Sequence, residues 1–95
     1  MNVKGFKDIS GREFIGELVS DNEKAVLVKN PMALVTTQDG LVPIPYIMSG
    51  KENGQFEIDK SKLIIGPCDV NENIERSYRG MFGGIIEPPQ KDLIL

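Results

Sequence analysis

A chain of 95 residues with no histidine and a single cysteine has few routes to covalent chemistry. Without an imidazole, a general base has to be a carboxylate or a lysine. Asp21, Glu23, Asp59 and Asp69 qualify by type, but their spacing fits neither a paired-carboxylate mechanism nor a metal-binding loop. Cys68 follows Pro67 and has no positive neighbour in the sequence that would favour its thiolate, so a buried, inert thiol is expected. One cysteine excludes an internal disulfide, and a zinc site built from Cys and His is not expected. These observations point away from an enzyme and from any cofactor; a hydrolase using carboxylates alone is the remaining catalytic reading. Lys51, Lys60 and Lys62, with Asn53 among them, have the chemistry to touch phosphate, and scattered surface lysines are the plainer account of them. Tyr46 is an aromatic that could stack on a base, but its place between Pro45 and Ile47 on a strand favours a core or interface role.

Composition sets the frame for those residues. The 14 acidic and 11 basic side chains leave a formal charge of −3, which argues against a broad phosphate-binding surface. The length fits one domain with a modest core, so stability is expected to lean on self-association. No apolar run approaches the ~18 residues of a membrane helix, and Met1 to Gly5 lacks the apolar core of a secretion signal. No membrane partner and a cytoplasmic location are the expectations.

The elements that must position these side chains are mainly strands. Glu13 to Val19 alternates, with Phe14, Gly16 and Leu18 on one face and Ile15, Glu17 and Val19 on the other. Ser20 to Lys24 supplies a polar turn, and Ala25-Val26-Leu27-Val28 follows as a strand with both faces covered. Asn2 to Asp8 reads as a first strand, returned by Ile9-Ser10-Gly11-Arg12, so that two hairpins make a meander. Ala25 to Thr37 reads as one long strand that bends near Pro31 and changes sheet partners there. Leu41 to Met48 carries prolines at 43 and 45, which forbid a full ladder on one side and force pairing through Val42, Ile44 and Tyr46 on the other. Phe56-Glu57-Ile58 and Leu63-Ile64-Ile65 are the last strand signals. Asp69-x-x-Glu72 has capping-box spacing ahead of a helix of about three turns with an apolar stripe at Ile74, Tyr78, Met81 and Phe82. Gly83-Gly84 is read as its left-handed cap. The expected layout is residues 1–68 in the β unit, 69–84 in the amphipathic helix and 85–95 in an extended tail.

The stretch V-K-G-F-K-D-I-S-G-R-E-F-I-G-E-L-V-S-D-N resembles the first motif of Sm and Sm-like (LSm) RNA-binding proteins, through Gly11, Phe14, the Gly16-x-Leu18 pair and Asp21. The second Sm motif, with its Arg-Gly pair, is absent between Ser49 and Lys62, and Arg79-Gly80 falls in the expected helix instead. The segment N-E-N-I-E-R-S-Y-R-G-M-F-G-G-I-I-E-P-P resembles the helix and tail of small Sm-like proteins of tailed phages, including phages of marine cyanobacteria, although the usual Sm arrangement puts its helix before the first strand.

The resemblance implies a mainly β fold: a strongly bent, closed five-stranded Sm-like (SH3-like) small barrel with one C-terminal helix. It further implies a homo-oligomeric ring that binds RNA or single-stranded DNA at its pore, in processing or chaperoning. By that analogy the two loops Ser20 to Lys24 and Ser49 to Lys62 face the pore, and Asn22, Lys24, Lys51, Asn53, Lys60 and Lys62 become the candidate nucleic-acid contacts. The first loop has more acid than base and no aromatic, so a solvated turn is the competing account. The acidic charge, the missing second motif and the apolar Leu93-Ile94-Leu95 favour an alternative in which a ring of the same kind serves assembly or scaffolding and binds protein.

Overall fold

A computed structural model of the chain describes residues 1–83. Six strands and one α-helix follow in order: β1 Val3–Asp8, β2 Glu13–Asp21, β3 Ala25–Thr37, β4 Gly40–Pro45, β5 Gln55–Asp59, β6 Leu63–Cys68 and α1 Glu72–Phe82. The first four form the expected antiparallel meander, with Phe6 opposite Phe14 and Phe14 opposite Ala33. Both hairpin glycines that need positive φ have it, Gly11 at 90° and Gly40 at 108°.

The bend of β3 organises the sheet. Ala25 to Lys29 pairs with β5, whereas Met32 to Thr37 pairs with β4, and Asn30 and Pro31 lie between. Asn30 adopts φ 51°, a left-handed conformation that asparagine tolerates better than most residues. β2 follows the bend through two irregularities in its register with β3, at Ile15/Glu17 and Leu18/Ser20. The paired prolines act as their chemistry demands: Pro43 and Pro45 lie opposite Leu34 and Met32, and the Tyr46 amide donates to the Pro31 carbonyl at 2.9 Å.

Two expectations for the architecture are corrected. There are six strands, not the five that the resemblance implied: the last two strand signals form separate strands, β5 and β6, with a single 3₁₀ turn capped by Asp59, Lys60–Lys62, between them. The sheet is not closed: it runs β4-β3-β2-β1-β6 with β5 on the outer side of β3, and no strand among the described residues joins β5 to β6. The turn steers the two short strands to opposite margins of the sheet, where each has one ladder partner.

The bent sheet has an apolar cluster on each face. Inside the bend lie Phe6, Phe14, Val26 and Val28, with Tyr46 and Leu63 packed against them. The rings of Phe6, Phe14 and Tyr46 stack at centroid distances of 4.9 and 4.2 Å, so Tyr46 belongs to the core. The helix covers the other face, where Tyr78 packs with Val3, Ile15 and Met32, flanked by Ile74 and Phe82. Met81, assigned to the same stripe, stays 45% exposed. The helix begins later than the capping-box spacing implied: Asn71, not Asp69, accepts the Asn73 amide, and Asp69 instead pairs with Lys4 at 2.7 Å. Gly83 ends the helix with φ −74°, so it is not a left-handed cap. Gly84 and the tail assigned to 85–95 lie outside the described residues.

Candidate nucleic-acid interface

The six candidate residues fall into two groups at opposite ends of β5. At one end, the β2–β3 turn meets the 3₁₀ turn: the Lys60 amide donates to the Lys24 carbonyl at 2.7 Å and the Lys60 ammonium pairs with Asp21. Asn22 is occupied in shaping that turn, its Oδ1 accepting the Lys24 and Ala25 amides at 2.9 Å each. Lys62 extends from the same corner, where its carbonyl receives the Ile9 amide at 3.0 Å. Asp59 is drawn below its usual carboxylate pKa by hydrogen bonds from Ser61 and, less strongly, by the charges of Lys62 and Lys24. The corner thus gathers Lys24, Lys60 and Lys62 beside Asp21 and Asp59.

Lys51 and Asn53 sit at the other end, roughly 17 Å away along a five-residue strand. Lys51 is exposed. Asn53 is held to the bend of β3: its amide donates to Asn30 Oδ1 at 2.8 Å and its Oδ1 accepts from Asn30 Nδ2 at 3.2 Å. Its role here is to clasp the β4–β5 loop onto Asn30, and the sequence gives no sign of that pairing. The structure thus brings Asn22, Lys24, Lys60 and Lys62 together at one corner and leaves Lys51 and Asn53 apart from them.

Three polar side chains with structural roles escaped the sequence reading. Asp8, 8% exposed, accepts from the Ser10 amide at 2.9 Å, the Ser10 hydroxyl, the Arg12 amide at 3.1 Å and the Tyr46 hydroxyl at 2.6 Å. Burial raises its pKa, but these hydrogen bonds prevail and hold it at about 2. The same contact, added to burial, pushes the Tyr46 hydroxyl to about 12. Asp8 followed by Ile-Ser-Gly-Arg, with Ser10 two residues on, is an Asx-turn signature, the one signal that could have found it. Asn30 is the second and Tyr78 the third. The Tyr78 hydroxyl shares its proton between the Lys29 and Asn30 carbonyls, at 2.9 and 3.0 Å, and accepts the Glu17 amide at 3.1 Å. Those backbone groups lie where the bend and the β2 irregularity interrupt the ladder, so the hydroxyl satisfies what the sheet cannot.

Cys68, expected to be buried, is exposed at the end of β6, with its Sγ 3.4 Å from the Gly5 carbonyl. Among the described residues no group of three or more His, Cys, Asp or Glu side chains is placed to hold a metal ion, and no helix is long and apolar enough to cross a membrane. Compared with protein-family models the sequence matches none, and no curated protein matches it.

Proposed function

We propose that this protein is a non-enzymatic, Sm-like subunit that assembles with copies of itself into a ring and binds RNA or single-stranded DNA. One observation carries the reading: the sheet is strongly bent yet open, with the outer edges of β5 and β6 unpartnered among the described residues. Unpaired strand edges are templates for further pairing, and the prolines of β4 block the third margin. Joining β5 of one copy to β6 of the next would satisfy both open edges and set the Lys24, Lys60 and Lys62 corners side by side around a central axis. Repetition in a ring then supplies the positive charge that one acidic subunit lacks.

The test is fluorescence anisotropy with short RNA and DNA oligonucleotides at low salt, on protein whose assembled mass has been measured by light scattering. Binding should weaken as salt rises, and the double change Lys24→Ala, Lys62→Ala should weaken it several-fold. Intact assemblies that bind no oligonucleotide would remove the nucleic-acid half of the proposal.

A second reading keeps the ring and gives it a protein ligand, as a scaffold or assembly factor. It is favoured by exposed Leu41, Met48 and Ile64, at 53%, 77% and 61%, and by the net charge of −3. A partner that co-purifies and stays bound after nuclease treatment would support this second reading over the first.

A further inference from the structure

The sequence contains one Asn-Gly pair, Asn53-Gly54, in the β4–β5 loop. In such a pair the amide nitrogen after the asparagine has no side chain beside it to obstruct attack on the side-chain amide. The other asparagines differ. Asn30 precedes Pro31, whose nitrogen has no hydrogen to lose, and Asn2, Asn22, Asn71 and Asn73 precede Val, Glu, Glu and Ile.

The fold keeps the vulnerable pair in place. Asn53 is exposed and has φ 65°, where asparagine and glycine are tolerated and bulkier residues are not. A Cβ on Gly54 would sit 2.8 Å from the Lys51 carbonyl oxygen and 3.2 Å from the Phe56 ring, so no other residue fits there without backbone movement. Two hydrogen bonds hold the reacting groups apart: the Gly54 amide donates to the Lys51 carbonyl at 2.9 Å and Asn53 Oδ1 accepts from Asn30 Nδ2 at 3.2 Å. Asn30 is 9% exposed, and its own amide donates to the Gly54 carbonyl at 3.0 Å.

We propose that Asn53-Gly54 is a site of spontaneous deamidation whose rate is set by opening of the clasp between Asn30 and Asn53. The Gly54 nitrogen gives its proton to water or hydroxide and bonds to Asn53 Cγ. The Cγ–Nδ2 bond breaks, Nδ2 takes up a proton and leaves as ammonia, and a succinimide ring remains. Water then adds to either ring carbonyl, the bond from that carbonyl to the Gly54 nitrogen breaks and the nitrogen regains a proton, leaving an isoaspartyl linkage or aspartate with no change in oxidation state. Either product adds a negative charge beside Lys51. The isoaspartyl form also lengthens the backbone by one carbon between the clasp and β5, so the Asn30–Gly54 hydrogen bond and the register of Gln55 to Asp59 against β3 are not kept together. The reaction is independent of any ring or nucleic-acid ligand.

The full-length chain is incubated at neutral and mildly alkaline pH and followed by peptide mass spectrometry, with isoaspartate detected by enzymatic methyl transfer. The expected result is a one-unit mass gain concentrated at Asn53, faster at the higher pH and absent in Asn53→Gly. Asn30→Gly, which keeps the positive φ but removes the clasp, should speed the gain several-fold. If that variant does not fold, the unaltered chain in denaturant should react several-fold faster at Asn53 than the native chain. No gain at Asn53, or equal gain at Asn22 and Asn73, overturns the site. A rate unchanged by Asn30→Gly in the folded variant, or by denaturant, overturns the clasp as its gate.

Discussion

Asp8 and Tyr78 carry little in the sequence beyond their place in a pattern, yet each ties together segments far apart in the chain. The Asp8 carboxylate fixes the β1–β2 turn and receives the Tyr46 hydroxyl from the end of β4. Its pKa falls from 3.8 to about 2 on folding, because donated hydrogen bonds outweigh burial. A depressed native pKa means the unfolded chain binds the proton first. The stabilisation is therefore complete above pH 4 or so and is lost as pH falls towards about 2, by on the order of 2 kcal/mol. Denaturation midpoints measured across that range should show the loss, and Asp8→Asn should flatten it while lowering stability at neutral pH. Tyr46→Phe removes one donor and brings the native pKa back towards 3.8, so the loss should start at the same pH, be smaller and be complete at a higher pH. Tyr78→Phe keeps the packing against Val3, Ile15 and Met32 but leaves the Glu17 amide and the carbonyls of Lys29 and Asn30 without their partner. It should cost about 1–3 kcal/mol, read from the same denaturation curves.

Among the elements, β3 and the part of β2 that crosses it decide the shape. Gly16 lies under the bend: a Cβ there would run into the Val28 side chain and stand 3.2 Å from the Lys29 carbonyl oxygen and 3.3 Å from Pro31 Cα. Gly16→Ala should therefore destabilise by about 1–3 kcal/mol, a change in midpoint with little change in strand content by circular dichroism. This close approach gives physical content to the glycine of the Gly16-x-Leu18 pair on which the Sm-like resemblance rests. The bend was legible because Pro31 and a strand-forming run on both sides of it admit few other geometries, and the pairing side of β4 was legible because two prolines remove two amides. Alternation also separated Phe14 and Leu18 from Ile15 within β2, and the structure puts them in different clusters. What stayed hidden depends on contacts across long stretches of chain. The pairing of Asn30 with Asn53 spans 23 residues, and the Lys4–Asp69 pair that takes Asp69 out of its capping role spans 65. Closure failed for a local reason, the Ser61 amide bound to Asp59, which turns the chain through Lys60–Lys62 and separates two strand signals that alternation alone cannot orient.

At the scale of the whole molecule, the open margins of the sheet make assembly testable with one backbone change. The Gly54 carbonyl accepts from Asn30 and the Lys60 amide donates to Lys24, so these two residues of the β5 segment face β3. Residues of an antiparallel strand direct both backbone groups to alternate sides. Phe56 and Ile58 therefore face β3 as well, while Gln55, Glu57 and Asp59 direct their amides outward. Glu57→Pro removes an outward donor and leaves the ladder to β3 its bonds, whereas Glu57→Val keeps that donor. If copies join through this edge, light scattering of the parent chain and of Glu57→Val should give a multiple of the 10.5 kDa subunit. Glu57→Pro should give a single subunit with the same strand signal. Equal assembly of all three proteins would move the interface elsewhere. A parent chain that is a single subunit at every concentration would remove the ring, and with it the means by which the proposed function lets an acidic subunit concentrate its lysines.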